Sequence, residues 1–193
     1  MLADSTPPSG TILVAEDEPG LRELYRIWLG NKWNVRLASD GEEAIKKFDS
    51  DISAVLLDKR MPHVDGTDVA TEIRAQSPCP IAMISADVPT TDILSGPLDA
   101  YLCKPVTSET VSIAVDRLLA LRTFNSCVRE YFALSMKLQA IEQECGPLPH
   151  ENDPTYQEAK DRVASLSAHV SELIDDADDP SPEISALLHE FTR

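Results

Sequence analysis

Residues 55–66 read VLLDKRMPHVDG, an apolar run that stops at one carboxylate, Asp58, and passes into a turn rich in Pro, Asp and Gly. A short continuous run of Val and Leu bounded by turn residues predicts a strand covered on both faces, the kind found in a parallel sheet. The same form recurs on either side. TILVA at Thr11–Ala15 and NVRLA at Asn34–Ala38 precede the run, and strands at 80–84 and Ala100–Cys103 follow it. Helical patterns separate them. Pro19–Leu29 carries its Pro in the first turn, SDGEEAIKKF opens with Ser39 and Asp40 as caps, and a third helix spans 65–75. The helix at 107–119 places Val111, Val115, Leu118 and Leu119 on one face. Strands alternating with helices predict an α/β fold, a doubly wound five-stranded parallel sheet.

Beyond residue 122 the period changes. Phe124, Cys127, Tyr131, Leu134, Leu138 and Ile141 alternate by three and four, as do Tyr156, Ala159, Val163, Leu166, Val170 and Leu173. CGPLPHENDP breaks the pattern between them. The expectation is an antiparallel helical hairpin with coiled-coil spacing over 123–175. Each seam is only about three heptads long, so the hairpin needs the first domain, another chain or a third helix to cover it. Residues 1–10 read as a flexible leader without the charge and apolar pattern of a signal peptide, and 176–193 as an acidic linker with a short terminal helix. The domain organisation read from sequence is therefore 1–10, 11–122, 123–175 and 176–193.

The 193 residues carry a formal net charge of −16. There are 12 Lys and Arg against 19 Asp and Glu in residues 1–122, and 5 against 14 in residues 123–193. Acidity spread over both halves argues against nucleic acid or an anionic membrane as partner. It fits a protein kept soluble in concentrated salt, where self-repulsion is screened. The four cysteines have no metal-ligand spacing and read as free thiols in a reducing cytoplasm. No apolar run approaches the length of a membrane span.

Ligands of open parallel sheets bind beyond the carboxyl ends of the strands. Read in order, those ends supply Glu16, Asp17 and Glu18, then Asp58, Ser85 and Lys104. Carboxylates gathered on one rim repel one another. A hard divalent cation neutralises them, and Mg2+ takes a couple of carboxylates plus water and phosphate oxygens. Asp58 beside such an ion is placed to act as a nucleophile toward a phosphoryl group, with Ser85 as hydrogen-bond donor and Lys104 as a compact positive charge.

ILVAEDE, LLDKRMPHVDG, MISA and YLCKP, in this order at successive strand ends, resemble the receiver domain of two-component response regulators, over roughly residues 10–122. The resemblance implies the flavodoxin-like receiver fold and a set of roles. Asp58 would be the phosphoacceptor, Glu16 and Asp17 the acidic pair, and Asp17, Asp58 and the backbone carbonyl of Arg60 direct ligands of Mg2+, with Glu16 acting largely through water. Ser85 and Lys104 would sense the phosphoryl group, and Tyr101 would be the aromatic whose rotamer reports it. Lys104-Pro105 resembles a peptide that is often cis in the family. VREYFALSMKLQAIEQE and the hairpin that contains it resemble the HalX domain that follows receivers in haloarchaea, over roughly 120–175.

Two features depart from the receiver pattern. Ser85 and Lys104 are only 19 positions apart, which leaves room for a stunted fourth helix, and the acidic pair is Glu-Asp rather than Asp-Asp. The implied function is a phosphorelay switch: a sensor histidine kinase phosphorylates Asp58, and the C-terminal helices contact a protein target or a second copy as a homodimer. Catalysis would be confined to self-phosphorylation and self-dephosphorylation. A DNA-binding output is not favoured, because residues 123–193 are acidic and lack a basic recognition helix. An aspartyl-phosphate hydrolase would need a second acid two residues beyond Asp58, where Arg60 stands.

Overall fold

The computed structural model describes residues 10–122, 126–146, 150 and 152–175. Residues 1–9 and the 176–193 segment lie outside the described residues, as do Phe124 and the side chain of Leu173. Five strands, β1 (Thr11–Ala15), β2 (Asn34–Ala38), β3 (Ile52–Asp58), β4 (Ile81–Ser85) and β5 (Ala100–Cys103), form one sheet in the order β2-β1-β3-β4-β5. Every pairing is parallel. The chain steps outward from β1 to β2 and then returns to the other side of β1, which makes the β1/β3 junction the switch point of the sheet.

The strand alternation sorts side chains to two faces. Ile12, Val14, Ala54, Leu56, Ala82 and Ile84 face α1 (Pro19–Leu29) and α5 (Ser108–Leu121) in one apolar cluster. Leu13, Ala15, Val55, Leu57, Ile81 and Met83 face α2 (Gly41–Lys47) and α3 (Gly66–Gln76) in the other. Local chemistry starts the helices. The Asp40 carboxylate accepts from the Glu43 amide, Asp65 from Thr67 and Asp68, and Thr107 from Thr110. Such caps are worth about 1 kcal/mol each. β3 and β4 run one residue further than the sequence pattern indicates, because Asp58 and Ser85 still pair across the strands. On α5 the buried face is Val111, Ala114, Val115, Leu118 and Leu121, with Leu119 half-buried.

Between β4 and β5 the chain makes only one helical turn, α4 (Asp92–Ser95). The C-terminal helices are α6 (Ser126–Cys145) and α7 (Pro154–Asp175), which pack on each other as the heptad spacing requires. The cover for their seam is the sheet domain itself. Val128, Tyr131, Phe132, Met136, Leu166 and Val170 belong to the same apolar cluster as β4, β5 and α5. Leu138, Ile141, Tyr156 and Ala159 form a smaller one around Leu94 of α4. α6 is therefore apolar on two faces, one toward α7 and one toward β5. Among the described residues no helix is long and apolar enough to cross a membrane.

Candidate functional site

Of the residues that end the strands, Glu16, Asp17, Asp58 and Lys104 come together. One carboxylate oxygen from each of Glu16, Asp17 and Asp58 lies within 4.8 Å of the others. β1 and β3 are neighbours, so the residues that end them share a rim, and the parallel register keeps the two ends level. Lys104, just past β5, reaches over this group: its Nζ lies 2.9 Å from Glu16 Oε2 and 3.1 Å from Asp58 Oδ2. Glu16, Asp58 and Ser85 are buried and Asp17 is exposed. The Lys104–Pro105 peptide is cis.

Burial is the main force raising the pKa of Glu16; the Lys104 hydrogen bond opposes it, and the charge of Asp58 adds to the rise. Burial would lower the pKa of Lys104, but its bonds to Glu16 and Asp58 outweigh that effect and hold it above its ordinary value. Three carboxylates against one ammonium leave a net negative pocket of hard oxygen donors. That donor set suits a small divalent cation and is poor for a soft one.

Ser85 Oγ accepts from the Asp87 amide at 3.0 Å. Tyr101 donates its hydroxyl to the Asp87 carbonyl at 2.9 Å and its ring is buried. Arg60 lies beyond β3 with an exposed side chain that ion-pairs Asp87 at 2.6 Å, and Lys59 reaches the same carboxylate at 3.1 Å. Asp87 thus ties the two residues after Asp58 to the segment after β4, a role with no motif of its own to announce it. Arg22 is the other residue that sequence reasoning passed over. Its guanidinium donates to the carbonyls of Glu16 at 2.6 Å and Asp17 at 3.2 Å, fixing the loop that carries the acidic pair. The only hint was its place one turn into the helix after that pair.

Gly66 has a steric duty that its motif does not state. A Cβ there would stand 2.2 Å from the Asp58 carbonyl oxygen. The Gly66 amide donates to Lys59 O at 2.8 Å, closing the loop under the aspartate. Gly41 does the same from α2, where a Cβ would meet Val64 O at 2.3 Å. Only a residue without Cβ allows either approach.

A model of the response regulator receiver domain matches residues 12–116, and one of the HalX domain matches 120–188. A "Putative transcriptional regulator" of Haloferax volcanii is 44% identical over 133 residues, covering 68% of this chain and 23% of that protein. The "Transcriptional regulatory protein SrrA" of Staphylococcus aureus is 32% identical over 127 residues, covering 63% of this chain and 52% of that one. The chain thus corresponds to about a quarter and about half of the length of these curated relatives. Among solved structures, the response regulator TrrA of Thermotoga maritima in complex with Mg2+ and BeF is 34% identical with a TM-score of 0.53, over 57% of this chain and 99% of that one. A receiver domain protein of Clostridium thermocellum is 26% identical with a TM-score of 0.55, over 59% of this chain and 97% of that one. Matched family models over more than half its length, and an acidic rim at the switch point of the sheet, place the chain in the response regulator receiver family, as a two-component regulator whose receiver is followed by a HalX domain.

Proposed function

We propose that the chain is a phosphoacceptor switch in which Asp58 takes a phosphoryl group from a sensor histidine kinase and the C-terminal helices carry the signal onward. The single observation that supports this best is the placement of the Lys104 ammonium against both Glu16 and Asp58, inside a group of three carboxylates at the end of β3. In the transfer an Asp58 carboxylate oxygen forms the new O–P bond while the kinase's histidine N–P bond breaks. Glu16, Asp17, Asp58 and the Arg60 carbonyl would hold Mg2+, which would offset charge on the phosphoryl oxygens. Lys104 supplies a fixed positive charge, and the Ser85 hydroxyl, whose oxygen accepts from the Asp87 amide, donates its proton to the phosphoryl oxygen. Tyr101 follows through its bond to Asp87. The chemistry ends with the acyl phosphate and its slow hydrolysis; Arg60 stands where a hydrolase of this type carries its second acid.

Asp58→Asn removes the nucleophile and keeps the shape. Incubated with acetyl phosphate and Mg2+, the native chain is expected to gain the mass of one phosphoryl group and the variant none. Equal uptake by both would end this reading.

A second reading, output as a DNA-binding regulator, is favoured by the names of the Haloferax volcanii and Staphylococcus aureus relatives. The acidic second half speaks against it. Binding to duplex DNA that weakens steeply with salt would reverse that choice.

A further inference from the structure

The acidic rim lies at the carboxyl ends of the strands. At their opposite ends, in a chain of net charge −16, guanidiniums gather. Arg122 ends α5, and Arg129 stands in the first turn of α6, beside the segment that leads into β4. The Arg129 side chain is only 20% exposed, and its Nη2 donates to the Pro78 carbonyl at 2.8 Å. A guanidinium so enclosed is ordinarily matched by a carboxylate at hydrogen-bond distance. Its carboxylate neighbour, Asp99, is 3.8 Å away and already accepts from Arg74 and from the Ile81 amide. Arg122 is exposed, and among the described residues no carboxylate pairs with it.

Arg122 and Arg129 line a cavity of about 320 Å³ together with Asp49, Ser50, Ser77 and Cys79. Asp49 brings no free charge to it, because Arg36 holds its Oδ2 at 2.6 Å and keeps its carboxyl below the usual range. The Ser77 oxygen accepts from the Cys79 amide at 3.1 Å, which leaves its proton to donate. Burial pushes the Cys79 thiol up to about 11, with Asp99 adding to the rise, while the charges of Arg122, Arg74 and Arg129 pull against it. Three guanidiniums therefore bear on one wall. The volume stands near the lower end of the range of roughly 300–1,000 Å³ for small-molecule sites. Two guanidiniums together match a dianion, whereas a single carboxylate would leave one of them unmatched. A phosphate monoester carries about −1.5 to −2 charges at pH 7 on three acceptor oxygens, and the fork of an arginine takes such a group through two parallel bonds.

We propose that Arg122 and Arg129, with the hydroxyls of Ser50 and Ser77, form a binding site for a small phosphate monoester at the end of the sheet away from Asp58. The guanidiniums neutralise the dianion and the serines donate to its oxygens. The site lies where α5 passes into α6, so a bound phosphate bridges the sheet domain and the first turn of the hairpin. It shares no residue with the acidic rim, uses no metal, and stands whether or not Asp58 is a phosphoacceptor.

The test uses the full chain, the variant Arg122→Gln, and Asp58→Asn. Arg122 is chosen because it is exposed and its loss leaves the Arg129 bond to Pro78, and with it the fold, in place. Glycerol 3-phosphate is titrated in KCl at fixed ionic strength without Mg2+, with acetate as control, while the NMR signals of the Ser50, Ser77 and Cys79 amides and of the Arg122 and Arg129 Nε groups are followed. In the native chain these signals are expected to move saturably with glycerol 3-phosphate and at least tenfold more weakly with acetate. Arg122→Gln is expected to weaken the phosphate ester at least tenfold, and Asp58→Asn to bind it as the native chain does. No saturable movement in the native chain would overturn the site. Equal response to acetate would reduce it to general attraction of anions, and unchanged affinity in Arg122→Gln would place the binding elsewhere; either result ends the proposal. Loss of binding in Asp58→Asn would assign the ester to the acidic rim and end it as well.

Discussion

At the scale of single residues, the site depends as much on what is missing as on what is charged. Gly66 sits so close beneath Asp58 that any side chain would press on the aspartate's own carbonyl. Gly66→Ala is expected to displace the β3 end and to weaken beryllofluoride binding at least tenfold. Its unfolding free energy should fall by about 1–3 kcal/mol, the usual range for forced overpacking. Chemical denaturation and a beryllofluoride titration measure the two effects separately. The charged residues around it differ in weight. Lys104 acts inside a buried cluster, where removal of one partner strands the others. Arg60, by contrast, is an exposed partner of Asp87, and such pairs contribute little to stability. Its pairing therefore contributes little to folding.

At the scale of elements, α4 and α6 show how a buried cation marks a joint. Lys137 is held by carbonyls and not by a carboxylate; burial is the main force that pushes its pKa down to about 8, with Asp99 raising and Arg74 lowering it further. Asp99 is already committed to Arg74 and to the Ile81 amide. Between about pH 8 and the ordinary value of 10.5 the unfolded lysine holds its proton and the folded one does not. Stability contributed by this group must then rise with pH across that window. Lys137→Met is expected to abolish the rise, so the native-minus-variant difference in unfolding free energy should grow between pH 8 and 10 by on the order of 3 kcal/mol at most. A flat difference would show that Lys137 keeps its proton in the fold. The one-turn length of α4 also explains why the hairpin can lie so close. A full helix between β4 and β5 would occupy the ground where Leu94 meets Ile141 and Tyr156.

At the scale of the whole molecule, the hairpin and the receiver share one apolar cluster, so the C-terminal helices rest against the face formed by α4, β5 and α5. A partner, whether a second copy or another protein, then meets either the polar outer side of the hairpin or a hairpin that has shifted. Light scattering in concentrated KCl with Mg2+ separates these cases, the salt being chosen because a net charge of −16 repels a second copy at low ionic strength. The native chain is expected to be monomeric without beryllofluoride and to change mass only with it, while Asp58→Asn stays unchanged under both conditions. A dimer of constant mass in all samples would place self-association outside the control of Asp58.

How much of this was legible in the sequence follows from the range of the interactions. The strands and the acidic rim were readable because each motif is local: an apolar run, a turn and a charged residue at its end, repeated with β-α spacing. A parallel sheet then forces those ends to one side, so Glu16, Asp17, Asp58, Ser85 and Lys104 had to converge. The heptad seams of α6 and α7 were readable for the same reason. What covers those seams was not, because Met136 and Phe132 lie off the stripe that faces α7, and only the docked structure tells an apolar residue for the receiver from one for the partner helix. Asp87 and Lys137 escaped notice because their roles come from partners up to 43 positions away, and nothing in a neighbouring residue records such a pairing; Arg22 is local, but its partners are backbone carbonyls, which no side-chain motif marks. The sequence by itself determined the fold class and the chemistry of the rim, through local pattern; the tertiary structure alone decided that the hairpin grips α4, because that joint is made of long-range contacts among residues that each look ordinary.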